Sequence, residues 1–150
     1  MTEIRSVREE DRAFWFRLDR HLSGPGFAEK VRTGQGLVLL EDGVPAGLLR
    51  WNLFWDEHPF CCLLYVEAAR RGRGLGRMLM TRWEEDMRAR GHALVLTSTQ
   101  ADEEAQHFYR KLGYRDCGGL VLDAPGYAQP MELILMKRLK ADAGEGVRSV

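Results

Sequence analysis

The chain carries no excess of charge: among its 150 residues, 22 basic side chains stand against 22 acidic ones, for a formal net charge of +0. Such a balance gives nucleic acid or an anionic membrane no overall attraction, so neither is expected as a main partner. Long apolar runs are missing too, and none approaches the roughly 20 residues of a membrane span. Cysteine is scarce. Cys61, Cys62 and Cys117 are odd in number with two adjacent, which suits neither a disulfide framework nor a zinc site of Cys-x-x-Cys spacing. They read as small core residues, and no metal ligand set is expected. Residues Met1 to Arg5 lack a basic region followed by an apolar stretch, so no secretory signal is expected and the cytoplasm is the expected location. There is no internal repeat and no sign of a second domain. With 45% hydrophobic residues, the chain can bury a sizeable core. Residues 1–140 read as one domain and 141–150 as a frayed tail.

The elements follow from periodicity. Thr2 to Val7 reads as a strand, and Ser6 with Glu9 offers a capping box for a helix over Glu9 to Arg20. Ser23-Gly24-Pro25-Gly26 reads as a break, and Phe27 to Arg32 as a second short helix. Gly36 to Leu40 and Pro45 to Phe54 flank Asp42-Gly43, a hairpin signal. Phe60 to Val66 is the next strand. Leu75, Leu79, Trp83 and Met87 then recur at helical spacing, Met78 and Met80 widen the stripe, and Gly91 ends the helix. Ala93 to Ser98 reads as a buried strand. Asp102-Glu103-Glu104 suits the first turn of a helix on which Ala105, Phe108 and Leu112 share a face, closed by Gly113. Tyr114 to Leu122 and Met131 to Leu139 read as two last strands around the loop Asp123 to Tyr127.

Between the Phe60 to Val66 strand and the Leu75 helix lies Arg71-Gly72-Arg73-Gly74-Leu75-Gly76. Glycines so spaced let backbone pass close to a ligand, while the free amides and positive dipole end of the next helix face an anion. Arg71, Arg73 and Arg77 add fixed charge, so the segment reads as a pyrophosphate cradle. A dinucleotide fingerprint starting at Gly72 needs a glycine where Arg77 stands, and the phosphate loop of nucleotide hydrolases needs Gly-Lys-Ser/Thr where the chain has Gly76-Arg77-Met78. An arginine-glycine tract of a disordered RNA-binding segment would lack the apolar strand and periodic helix on its flanks.

The remaining pattern, Arg-x-x-Gly-x-Gly on Arg71, Gly74 and Gly76, resembles the acetyl-CoA pyrophosphate motif of the GNAT superfamily of N-acetyltransferases. Ala105-Gln106-His107-Phe108-Tyr109-Arg110-Lys111-Leu112-Gly113-Tyr114 resembles that family's Ala-x-x-x-Tyr-x-x-x-Gly-Phe/Tyr segment, and the order of elements is similar over nearly the whole chain. The resemblance is to a small single-domain member. It implies an α/β fold with a central, mostly antiparallel mixed sheet of about seven strands, flanking helices and a splayed strand pair at the coenzyme A site. The implied activity is acetyl transfer from acetyl-CoA to a primary amine of a small molecule or peptide, by direct attack in a ternary complex. A catalytically weak acyl-CoA sensor or partner-binding module on the same fold is the competing reading.

By the same resemblance, the cofactor is held by Leu64, Tyr65 and Val66, by Arg71, Gly72, Arg73, Gly74, Leu75, Gly76 and Arg77, and by Asp102, Ala105, Phe108 and Tyr109. The Val66 amide is the implied oxyanion donor and Tyr109 the implied general acid. Asp102 stands where an asparagine is common; its carboxylate can cap the helix and accept a hydrogen bond but cannot donate one. No carboxylate lies inside the Phe60 to Val66 strand, so the base is sought at Asp56, Glu57 and His58, with Glu57 the named candidate and Glu67 a weaker one. The acceptor groove is expected among Phe14, Trp15, Trp51, Trp55 and Tyr127, a set that can clamp an amine but does equally well as core. It does not choose among polyamine, amino acid, antibiotic and protein N-terminus. Leu133 to Met136 can serve a homodimer interface or a core strand.

Overall fold

The computed structural model describes residues 1–139, so the tail expected over 141–150 lies outside the described residues. Seven strands form one sheet: β1 (Thr2–Ser6), β2 (Gly36–Glu41), β3 (Val44–Phe54), β4 (His58–Val66), β5 (Leu94–Gln100), β6 (Arg115–Leu120) and β7 (Glu132–Arg138). Their order across the sheet is β1-β2-β3-β4-β5-β7-β6. All neighbours run antiparallel except β4 and β5. The helices are α1 (Arg12–Leu18), α2 (Gly24–Thr33), α3 (Leu75–Ala89) and α4 (Ala105–Lys111). Among the described residues no helix is long and apolar enough to cross a membrane.

Around β2 and β3 the sheet is buried on both sides, which is why Leu37 to Leu40 is an unbroken apolar run rather than an alternating one. On one side Leu39, Leu49 and Val95 meet Leu79, Met80, Trp83 and Met87 of α3. On the other, Val38, Leu40 and Leu48 meet Trp15 of α1 and Phe27 of α2. Burying side chains of this size stabilises by about 1.5–3 kcal/mol each. The α3 stripe follows the spacing, with one exception: Met78 is exposed, because it falls on the opposite side of the helix from Trp83 and Met87.

Local chemistry moves several boundaries. The first helical segment opens with a 3-10 turn, Glu9–Asp11, and its capping box joins Arg8 to Asp11 rather than Ser6 to Glu9. The Asp11 carboxylate accepts from the Arg8 amide at 2.7 Å and from both terminal nitrogens of Arg5 at 2.8 and 2.9 Å. The Ser23 to Gly26 segment is a helix start, since the Ser23 hydroxyl accepts from the Gly26 amide at 3.0 Å and Pro25 sits in the first turn. Asp42 and Gly43 take positive φ, 49° and 81°, as a type I′ hairpin requires. A second turn of this kind joins β3 to β4 at Trp55 and Asp56, with φ of 58° and 57°; without glycine it left no sequence signal.

Leu133 to Met136 lies in β7, which is paired on one side to β5 and on the other to β6, as the core-strand reading of that run requires. Cys61 is buried as expected, but Cys117 is exposed on β6, every residue of which is exposed. Across the sheet interior, Glu84 of α3 accepts from the Tyr114 hydroxyl at 2.8 Å and from Lys137 of β7 at 2.7 Å, a buried carboxylate with both partners in place.

Candidate active site

The parallel pairing of β4 with β5 is confined to Phe60 with Leu96 and Cys61 with Thr97, so beyond Cys61 the two strands part. The β3–β4 ladder fixes what faces the opening. Glu67 donates its amide to Ala46 at 2.9 Å. Hydrogen-bonded pairs alternate along an antiparallel ladder, so with Leu48 opposite Tyr65 and Leu49 opposite Leu64, Tyr65 spends its backbone groups on β3 while Leu64 and Val66 turn theirs into the gap. Accordingly the Val66 carbonyl accepts from Arg71 Nε at 2.8 Å.

One end of the gap opens into a cleft of about 670 Å³ lined by Leu64 and Val66, the loop Arg70 to Gly72, Gly74 to Arg77, and Glu104, Ala105, Phe108, Lys111 and Leu112. Gly72 and Gly74 have φ of 82° and 80°, a conformation that costs an L-residue roughly 1–2 kcal/mol. A Cβ on either would meet no atom within 4 Å, so backbone, not crowding, selects glycine there. Gly76 differs: its Cβ would stand 3.6 Å from the Phe108 ring and 3.7 Å from Leu64, where the helix passes closest to the gap. The first bond of α3 runs from the Met78 amide to the Gly74 carbonyl, 3.0 Å, leaving the amides of Leu75, Gly76 and Arg77 ahead of the helical ladder.

The arginines divide by task. Arg71 lies over the Tyr65 ring at 4.9 Å and borders the cleft. Arg77 borders it from the first turn of α3. Arg73 turns away to Glu41 at 3.2 Å, and Arg70 meets the same carboxylate at 2.7 Å. Of the residues expected to hold the cofactor, Tyr65, Arg73, Asp102 and Tyr109 are therefore outside the cleft lining, and Arg70, Glu104, Lys111 and Leu112 join it. Asp102 fails because the acidic run precedes α4 instead of opening it. Glu104 occupies the cap position without a side-chain cap bond, and the Glu103 carboxylate folds back onto the Gln100 amide at 2.9 Å.

The other end of the gap is a cavity of about 340 Å³ lined by His21, Cys61 to Leu64, Thr97 to Gln100, Glu103, Ala105, Tyr109 and Glu132. Cleft and cavity share Leu64 and Ala105, so they meet there. Tyr109, only 6% exposed, presents its phenol to the cavity with its ring between Phe108 and Tyr114. Burial drives its pKa well above the usual phenol value and the neighbouring Cys61 adds to this, while a hydrogen bond with Thr97 offsets part. The phenol is accordingly protonated throughout the neutral range. Burial also pushes the Cys61 thiol up to about 12 and raises Cys62, so neither cysteine is a ready thiolate nucleophile.

Outside this junction stand the residues expected to hold the acceptor or its base. Trp15 is fully buried with its indole N–H on Asp19 at 3.0 Å, and Trp51 is buried against Trp83. Phe14 packs at the margin of the α1–α2 core. Trp55 and Tyr127 are exposed and line neither space. Glu57, with Asp56 in the β3–β4 turn and His58 at the first position of β4, lies roughly 20 Å along β4 from Leu64 at the rise of an extended strand. That distance removes it as a direct base. Glu67 pairs with Arg17.

The proton acceptors bordering the cavity are instead His21, Glu103 and Glu132. No linear signal marks them. His21 is carried there by the α1–α2 connection, which Asp19 holds through the amides of His21 and Leu22 while itself bonded to Arg50 of β3 at 2.8 Å. Glu132 arrives opposite Gln100 by the β5–β7 register.

Comparison with known proteins places this geometry. Ard1 from Thermoplasma volcanium superposes with a TM-score of 0.81 at 17% identity, over 93% of this chain and 99% of that one. Arabidopsis thaliana Naa50, solved with the bisubstrate analogue CoA-Ac-MVNAL, gives 0.74 at 16% identity over 91% and 97%. N-acetylglutamate synthase from Neisseria gonorrhoeae, solved with coenzyme A and N-acetyl-glutamate, gives 0.73 at 16% identity over 94% of this chain but 36% of that one. No curated protein matches the sequence. At these identities the likenesses speak for the fold. The family model described as Acetyltransferase (GNAT) family matches residues 3–114, and on that match, spanning most of the sheet, the glycine loop and the Tyr109 helix, the chain belongs to the GNAT family of acyl-CoA-dependent N-acetyltransferases.

Proposed function

We propose that this chain transfers the acetyl group of acetyl-CoA to a primary amine of a small molecule or peptide, by direct attack within a ternary complex. The observation that carries the reading is the meeting, at Leu64 and Ala105, of a cation-rimmed cleft with a polar cavity across an opened strand pair. The cleft fits coenzyme A. Its left-handed glycines and the amides of Leu75, Gly76 and Arg77 suit a pyrophosphate, Arg71 and Arg77 supply charge, and the Leu64 and Val66 edge can pair with an amide-bearing arm as an added strand. When bound, acetyl-CoA supplies an activated acyl carbon: the amine nitrogen forms the new C–N bond, the C–S bond breaks, and the sulfur departs with the electron pair.

The residues at the junction divide the remaining work. Leu64 borders both spaces whereas Val66 borders only the cleft, so the oxyanion role expected of Val66 falls to the Leu64 amide, and Val66 holds the arm. Tyr109, kept protonated by burial, donates a hydrogen bond to the departing sulfur as negative charge builds on it. The acceptor ammonium loses one proton before attack toward the cavity side, where His21, Glu103 and Glu132 can receive it, and the second, left on nitrogen after attack, balances the proton that ends on the sulfur as the thiol forms. With both cysteines held as thiols, direct attack is the economical route, and proximity supplies much of the acceleration. Thiol release from acetyl-CoA, measured with and without a panel of amines, tests the proposal. Amine-dependent release well above the hydrolytic background supports it; release that no amine raises would refute it and favour a binding module.

A further inference from the structure

The cavity on the acceptor side has a charge pattern of its own. Its lining includes two carboxylates, Glu103 and Glu132, and neither a lysine nor an arginine, whereas the cleft across the junction is bordered by Arg70, Arg71, Arg77 and Lys111. Each carboxylate is anchored by one donor. Glu132 accepts from Gln129 Nε2 at 3.1 Å and Glu103 from the Gln100 amide at 2.9 Å, so lone pairs are left for a ligand. Deeper in the same cavity, Thr99 is 4% exposed and its hydroxyl has no hydrogen-bond partner among the described residues. Thr97, two residues earlier on the same side of β5, does have one, donating to the Cys61 carbonyl at 3.2 Å. A buried hydroxyl is costly to leave unpaired, and this one lies on the side of β5 that carries Thr97 and its bond to Tyr109.

We propose that the acceptor is a compact amine carrying a second protonated nitrogen, and that the cavity excludes acceptors with a carboxylate at that second position. The reacting nitrogen is oriented by the Thr99 hydroxyl close to Tyr109, and the distal ammonium is held by Glu103 and Glu132 at the mouth. Opposite charge in a partly desolvated cavity attracts such a cation and repels an anion. Four cations against one carboxylate, Glu104, border the cleft, and two carboxylates with His21 border the cavity, so the balance of charge favours a different substrate on each side of Leu64.

The proposal rests on the acetyl-transfer reading, and the test separates the two. Putrescine, n-butylamine and γ-aminobutyrate present the same four-carbon amine with an ammonium, a methyl or a carboxylate at the far end. The expected kcat/KM for putrescine exceeds that of n-butylamine by about tenfold and that of γ-aminobutyrate by about a hundredfold, as one and two charge contacts allow. Glu132→Gln and Glu103→Gln should each lower the putrescine-to-butylamine ratio about threefold or more, and Glu132→Lys should move preference toward γ-aminobutyrate. Thr99→Val, nearly isosteric and removing only an unpaired hydroxyl, should raise the putrescine KM about tenfold with acetyl-CoA affinity unchanged by calorimetry. Equal rates for the three amines, or γ-aminobutyrate as the best of them, in a protein that binds acetyl-CoA would overturn the selectivity and leave the transfer reading standing. Failure to bind acetyl-CoA at all would overturn the transfer reading itself.

Discussion

Tyr109→Phe removes one oxygen from the junction and tests its chemistry with little structural disturbance. The ring is gripped by Phe108 and Tyr114 at centroid distances of 5.2 and 5.7 Å, contacts that phenylalanine keeps. The lost hydrogen bond is a neutral one to Thr97, worth about 1 kcal/mol. Thr97 retains the Cys61 carbonyl at 3.2 Å, so no new orphan is created and Tm should fall by only about 3 °C. The kinetic loss should be far larger. A positioned proton donor contributes roughly 10²–10⁴-fold, so kcat should drop at least a hundredfold, about 3 kcal/mol of barrier. Because Tyr109 borders the acceptor cavity and not the cleft, the acetyl-CoA Kd should stay within about twofold on this geometry. The raised pKa has a further consequence: the wild-type rate should show no loss from this group between neutral pH and the ordinary phenol value near 10. Steady-state thiol release, calorimetric titration and a thermal melt together read all of this. A kcat within threefold of wild type, or a loss explained by weaker acetyl-CoA binding, would refute the general-acid assignment.

Glu41→Gln releases Arg70 and Arg73 beside the cleft; acetyl-CoA should bind about threefold tighter at low salt, with the gain fading as ionic strength rises, as titrations in a salt series would read. Glu84→Gln breaks a buried carboxylate bridge to Tyr114 and Lys137 and should cost about 3 kcal/mol in denaturant unfolding with kcat nearly unchanged. Asp11 gives a pH signature. Burial pushes its carboxyl up, but the Arg5 bonds and the Arg8 amide outweigh this and hold it below the usual value. The stability it contributes is therefore present above about pH 4 and lost as pH falls below that, and Asp11→Asn should flatten that part of the acid-unfolding curve.

What could be read from the residues and what could not divides along a physical line. Leu79, Trp83 and Met87 repeat at helical spacing because one helix meets one sheet, and Gly72 and Gly74 advertise a backbone shape only glycine takes freely. Both are local signals. The acceptor side is built from the α1–α2 connection, both sides of β5 and the start of β7, and the chain brings these together only through sheet register. His21, Glu103, Thr99 and Glu132 thus carried no mark. The aromatics misled for the converse reason: Trp15 and Trp51 satisfy core packing, and an indole looks the same in sequence whether it faces a ligand or another ring. Likewise Glu57 was placed by its proximity in sequence to β4, which says nothing of which end of the strand opens.

The most direct measurement is calorimetric titration of acetyl-CoA into the wild type and Gly74→Asp. Aspartate tolerates the left-handed backbone at this position better than most residues, and a Cβ there meets no protein atom within 4 Å, so the variant should fold, as circular dichroism can verify. Its carboxylate would stand in the proposed cradle. Saturable binding to the wild type, weakened at least about a hundredfold in the folded variant by the misplaced charge, is the predicted result. A folded wild type that does not bind acetyl-CoA, or a folded variant that binds it equally well, would contradict the account.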